Sequence, residues 1–83
     1  MNILKELKTL IDTENIRVRV KNITPTTKFA ESGIDSLDLV NLAMAIESKH
    51  GITIDDATLL SLKEKSVQDF IDVIEKQVAA KNK

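Results

Sequence analysis

Gly33-Ile34-Asp35-Ser36-Leu37-Asp38-Leu39-Val40, running on through Asn41-Leu42-Ala43-Met44-Ala45-Ile46-Glu47-Ser48-Lys49-His50 to Gly51, reads as one amphipathic helix set between two stops. Asp35 is a cap whose carboxylate can meet the first free backbone N–H groups, and Asp38 adds negative charge where the helix dipole favours it. Gly51 ends the helix because glycine enters the left-handed region without steric penalty. Around the helix wheel, Leu39, Leu42, Ala43 and Ile46 form one apolar stripe and Leu37, Val40 and Met44 a second. Asp38, Asn41, Ala45, Ser48 and Lys49 cover the opposite side, with Ser36 and Glu47 on the border between the stripes. Two readings of the second stripe compete. Periodicity alone favours a central helix packed on both sides; the other leaves Leu37, Val40 and Met44 partly exposed as a docking patch, with methionine supplying adaptable packing.

With Asp35 capping, Ser36 is not needed for that task. Its hydroxyl falls in the first helical turn, near unpaired N–H groups, where an attached phosphate ester would be tolerated.

Working outward, Ile3, Leu4, Leu7, Leu10 and Ile11 follow three- and four-residue spacing and predict a first helix from about Asn2 to Glu14. Ile16-Arg17-Val18-Arg19-Val20-Lys21 alternates apolar and basic residues as a strand would, but has no evident partner. It is read as an extended part of a long loop whose apolar residues tuck onto the helices. Thr24-Pro25-Thr26-Thr27 marks a turn. After Gly51, Ile54 to Leu62 predicts a short third helix opening on an aspartate. Ser66-Val67-Gln68-Asp69 resembles a capping box, and Val67, Phe70, Ile71, Ile74 and Val78 form the buried face of a last helix to about Ala79, with Ala80 to Lys83 fraying. The expected fold is an all-α, four-helix bundle with a long first loop and a short third helix, in a single domain over residues 1–83.

Composition narrows the chemistry. With 83 residues and no cysteine, the chain offers one small core, no disulfide, no protein thiol and no thiolate metal site. One histidine cannot build a zinc tetrad, Asp55-Asp56 lacks the alternating ligands of a calcium loop, and no metal site is expected. A serine hydrolase would need His50 as its base, but fourteen helical steps of about 1.5 Å separate it from Ser36 by roughly 21 Å. No catalytic residue is therefore assigned, and His50 is read as a helix-end residue complementing the dipole. Two phenylalanines are the only aromatic residues, which leaves no stacking platform for nucleic acid, and Arg17, Arg19 and Lys21 are read as a solvated loop. The net charge of −1 conceals an uneven distribution, −5 between Ala30 and Asp56 and +4 elsewhere, so the acidic field surrounds Ser36. The amino terminus alternates charged and apolar residues unlike a signal peptide, no stretch has membrane-spanning length, and the cytoplasm is the expected location.

Phe29-Ala30-Glu31-Ser32-Gly33-Ile34-Asp35-Ser36-Leu37-Asp38, with Val40, Leu42, Met44, Ala45, Ile46 and Glu47 and then Gly51-Ile52-Thr53-Ile54, resembles the acyl carrier proteins. The resemblance implies that Ser36 bears 4′-phosphopantetheine, placed there from coenzyme A by a phosphopantetheinyl transferase. The arm's thiol would then hold acyl intermediates as thioesters for the synthase and acyl-transfer enzymes of fatty-acid or related lipid or polyketide biosynthesis. It also implies a non-enzymatic monomer whose serine-bearing helix is read by partners. Asp35, Asp38 and Glu47 would supply charge, and Leu37, Val40 and Met44 apolar contact. An acyl chain, if sheltered, would enter between helices lined by Leu42, Ile46, Leu59, Leu62 and Ile71. This sequence departs from the fatty-acid carriers in having Asn41, Ser48 and Lys49 where glutamates are frequent, and Asp55 where a proline is usual. The segment from Ile54 to Val67 also runs about two residues longer than theirs. A specialised aminoacyl carrier and a helical adaptor without any prosthetic group remain the alternatives.

Overall fold

The computed structural model describes residues 2–81 and contains five helices: α1 (Ile3–Thr13), α2 (Phe29–Ser32), α3 (Ser36–His50), α4 (Asp56–Leu62) and α5 (Val67–Lys81). Among the described residues no strand forms, only an isolated antiparallel bridge between Lys28 and Ser66. The all-α reading holds, and α1, α3, α4 and α5 are the four expected helices. The difference is α2, a single turn inside the stretch between the long loop and Ser36.

Helix α1 opens on Asn2, whose Oδ1 accepts the Lys5 N–H at 3.0 Å, and buries Ile3, Leu7 and Ile11. It ends in a Schellman motif. Asn15 takes a left-handed φ of 55°, the Ile16 N–H donates to the Ile11 carbonyl at 3.0 Å, and the Asn15 N–H donates to the Asp12 carbonyl at 3.2 Å. That reversal drops Ile16 into the core. Along the loop Ile23 is also buried and Val20 half-buried, but Val18 is exposed, so the expected tucking of the alternating segment is incomplete. The Thr24–Thr27 turn closes through the Thr27 N–H to the Thr24 carbonyl at 3.0 Å.

The loop is sewn to the start of α5. The Phe29 N–H donates to the Lys65 carbonyl at 3.0 Å, the Val67 N–H to the Thr27 carbonyl at 2.8 Å and the Gln68 N–H to the Pro25 carbonyl at 2.9 Å. The capping box forms as expected, with the Ser66 N–H and hydroxyl both donating to Asp69 Oδ2 at 3.0 Å. These bonds to Ser66 hold the Asp69 carboxyl below its ordinary pKa. Helix α5 continues through Lys81, so Ala80 and Lys81 do not fray; Asn82 and Lys83 lie outside the described residues.

Helix α1 packs on α3 and α5, and α3 packs on α4. Phe70, Leu42, Ile46, Leu62, Ile74 and Val67 form the fully buried centre, and Phe29 of α2 meets Phe70 edge to face at 5.9 Å. Helix α2 is held by buried Ser32, whose hydroxyl donates to the Phe29 carbonyl at 2.8 Å and accepts the Ile34 N–H at 3.1 Å. Gly33 follows at φ 89°, and a Cβ there would lie 2.9 Å from Arg19 Cγ and 3.0 Å from the Arg19 backbone nitrogen. The glycine thus lets the loop pass close beneath the entry to α3, where the Arg19 N–H reaches the Ser32 carbonyl at 2.6 Å.

Candidate functional site

Ser36 is the first residue of α3, and its cap is its neighbour. Asp35 Oδ1 accepts the Asp38 N–H at 2.8 Å, and the Asp35 carbonyl accepts the Leu39 N–H at 3.0 Å. The Ser36 side chain is exposed and makes no hydrogen bond among the described residues. A hydroxyl left free beside a satisfied cap can be esterified without dismantling the helix end.

From Ser36 a cleft of about 300 Å³ runs between α3 and α4, lined by Ser36, Leu39, Val40, Asp56, Leu59, Leu60 and Lys63. Its walls are largely apolar. Helix α4 is positioned by its own aspartate cap, Asp55 Oδ1 accepting the Thr58 N–H at 3.2 Å, and by Leu62 in the core. An exposed serine at the head of an apolar cleft suits a flexible arm with both polar and apolar segments.

The second stripe of α3 lies outside the core. Leu37 is 68% exposed, Met44 59% and Val40 36%, whereas Leu39, Leu42, Ala43 and Ile46 are buried. The two-sided packing that periodicity favoured is therefore absent on that side. Leu60, 67% exposed on α4, faces solvent as well. Asp35 is exposed and Asp38 half-buried beside Ser36. Glu47 is half-buried, eleven residues further along α3, and its Oε2 accepts the Ile54 N–H at 3.0 Å. One of its oxygens thus ties down the loop that leads into α4, a structural task the sequence reading did not assign. Of the five residues expected to line an acyl cavity, only Leu59 borders the cleft; Leu42, Ile46, Leu62 and Ile71 are packed in the core.

The far end of α3 is tied to the rest of the fold. His50 Nε2 lies 3.1 Å from both oxygens of Glu6, and Lys49 Nζ lies 2.9 Å from Glu6 Oε1. A carboxylate only accepts, so Nε2 carries the hydrogen in that contact. Burial pushes the Glu6 carboxyl up, but Lys49 and His50 outweigh it and hold its pKa below the ordinary value of 4.5. Lys81 Nζ donates to the His50 carbonyl at 2.7 Å. His50 is the helix-end residue expected from the sequence, but its partners come from α1 and α5.

Sequence reasoning missed Leu60 and Lys63 as parts of the site. Helix α4 has 7 residues, too few for apolar spacing to separate Leu60 from the inward-facing Leu59 and Leu62.

A family model described as the phosphopantetheine attachment site matches residues 5–74. The chain is 38% identical over 79 residues to an acyl carrier protein of Thermosynechococcus vestitus, covering 94% of each. It is 36% identical over 77 residues to one of Thermotoga maritima, covering 92% of this chain and 91% of that one. A third, from Phytoplasma australiense, is 36% identical over 78 residues, covering 93% and 99% respectively.

Proposed function

The chain belongs to the acyl carrier protein family, whose members bear 4′-phosphopantetheine and act as carriers, not catalysts, and from that premise we propose that Ser36 is the attachment residue. The observation that carries this reading is the exposed, unbonded Ser36 hydroxyl behind the Asp35 cap, at the head of the α3–α4 cleft. The group would supply a thiol, absent from this cysteine-free chain, on a flexible arm able to hold an acyl chain as a thioester. The protein's own part is to present Ser36 Oγ to a phosphopantetheinyl transferase, to keep the helix end intact when the phosphate is attached, and to offer partner enzymes a recognisable surface.

In this proposal a single cytoplasmic carrier domain serves fatty-acid or related lipid or polyketide synthesis. Asp35, Asp38 and Glu47 draw basic partners and Leu37, Val40 and Met44 make apolar contact, supported by the exposure of those three side chains. A medium-length acyl chain would enter by the cleft at Leu59 and reach Leu42, Ile46, Leu62 and Ile71 only by parting the core. It would raise the Tm over the form without cargo, because it buries apolar surface in the folded state alone.

The test of attachment is direct. The unmodified protein is incubated with coenzyme A and a broad-specificity phosphopantetheinyl transferase, then weighed by mass spectrometry. The expected result is the addition of one phosphopantetheine, abolished in Ser36→Ala. No gain, or an equal gain in the variant, overturns the assignment.

A further inference from the structure

Ser36 stands in a lopsided electrostatic field. Asp35 and Asp38 flank it on α3, and Asp56 lines the cleft from α4. Lys63 is the single cation among the cleft-lining residues. It sits at the C-terminal end of α4, where a positive charge also complements the helix dipole. Asp56 and Lys63 are separated by seven residues, roughly 10.5 Å along a helix, so they do not neutralise one another. No ion pair involves Lys63 among the described residues.

We propose that Lys63 is a positioning residue for the prosthetic arm: its ammonium attracts the phosphodiester formed on Ser36 and biases the arm into the α3–α4 cleft. This inference rests on the attachment reading above. A phosphodiester remains a monoanion at any working pH. Beside Asp35 and Asp38 it is repelled on its own helix, and Asp56 would drive it from the cleft as well. Lys63 offsets that repulsion at its own end of the cleft, where it lines the wall together with Leu59 and Leu60. An arm held there lies over apolar surface. Without that attraction the balance moves towards an arm extended into solvent. An exposed ion pair shifts such an equilibrium modestly, by up to about fivefold.

The experiment uses the full chain loaded with phosphopantetheine and carrying no cargo, as wild type, Lys63→Gln and Lys63→Arg, each loading verified by mass. Because the chain has no cysteine, a thiol-directed spin label marks the arm alone. Amide relaxation is then compared at Leu59 to Lys63 and, as a reference, at the exposed Lys8 and Thr9 of α1, at low and high salt. Label-free amide shifts between unmodified and loaded forms give a second readout. The expected result is preferential broadening and shift on α4 in the wild type and in Lys63→Arg. Both should drop by up to about fivefold in Lys63→Gln, with high salt lowering the wild type towards that variant. Equal α4 effects in wild type and Lys63→Gln, with loading complete, overturn the role of Lys63 alone. Failure to load Ser36 overturns the attachment reading and this inference with it.

Discussion

The two ends of α3 are built on opposite principles. The His50 end is held by other elements: Glu6 of α1 pairs with both Lys49 and His50, Lys81 of α5 caps the last carbonyl, and Glu47 fastens the following loop at Ile54. The Ser36 end is capped within its own segment, by Asp35, and leaves Ser36, Leu37 and Val40 to solvent. A helix anchored at one end and along one face can present the other end and face without losing its place. Under the proposed attachment at Ser36, that division lets partner enzymes reach the serine while the fold stays fixed.

The sharpest way to break this comparison is to truncate two side chains two positions apart. Ile46→Ala removes a fully buried group and should cost about 2–5 kcal/mol, read by denaturant unfolding. Met44→Ala, on the exposed face, should change stability by less than about 0.5 kcal/mol while weakening partner docking at low and high salt alike. Equal losses of stability would mean that the exposed face packs against something in the native fold.

The glycines that bracket α3 give the next contrast. Gly33→Ala combines a left-handed φ with close contacts to Arg19, 2.9 Å to Cγ and 3.0 Å to the backbone nitrogen, and should destabilise by about 1–3 kcal/mol. Gly51→Ala meets only the far end of the Lys81 side chain, its ammonium at 2.8 Å, and should cost about 1 kcal/mol. The reverse order in thermal melts would show that the Arg19 contact yields more readily than the geometry suggests.

The anchored end should also respond to acid. Glu6 has a folded pKa below its ordinary 4.5, so its contribution is fully present above that value and is lost as pH falls through the depressed one. Glu6→Gln should cost on the order of 1 kcal/mol at neutral pH and flatten the acid limb of the stability curve. An unchanged limb would assign acid sensitivity elsewhere, with Asp69 at the Ser66 cap the next group to replace. The free end should matter less to folding. Asp38→Lys should lower stability only by its cost to the helix dipole, about 0.3–1 kcal/mol. It should slow partner association measured by stopped flow, with the difference shrinking as salt rises. A salt-independent loss would point to a lost contact in place of lost steering.

Much of this site was legible in the sequence because its signals are local. A cap, a first-turn serine and a terminating glycine act within one turn of the backbone, so Asp35, Ser36 and Gly51 declare themselves by type and spacing. The capping box at Ser66 and Asp69 was readable for the same reason. Helix α2 was not, since a single turn is too short for apolar periodicity and is held by the Ser32 hydroxyl and by Phe29 packing on Phe70. The left-handed Asn15 was equally silent, because many residues follow a helix and only its hydrogen bonds reveal the reversal.

By itself the sequence determined the helical class, the limits of α3, and a free serine in an acidic setting, all consequences of side chains acting on their own backbone neighbours. The tertiary structure decided which apolar stripe of α3 is buried, that Glu6 receives Lys49 and His50, and that Lys63 and Leu60 share a cleft with Ser36 or face solvent beside it. Those outcomes depend on which helix lies against which, and that is settled by filling one small core from residues far apart in the chain.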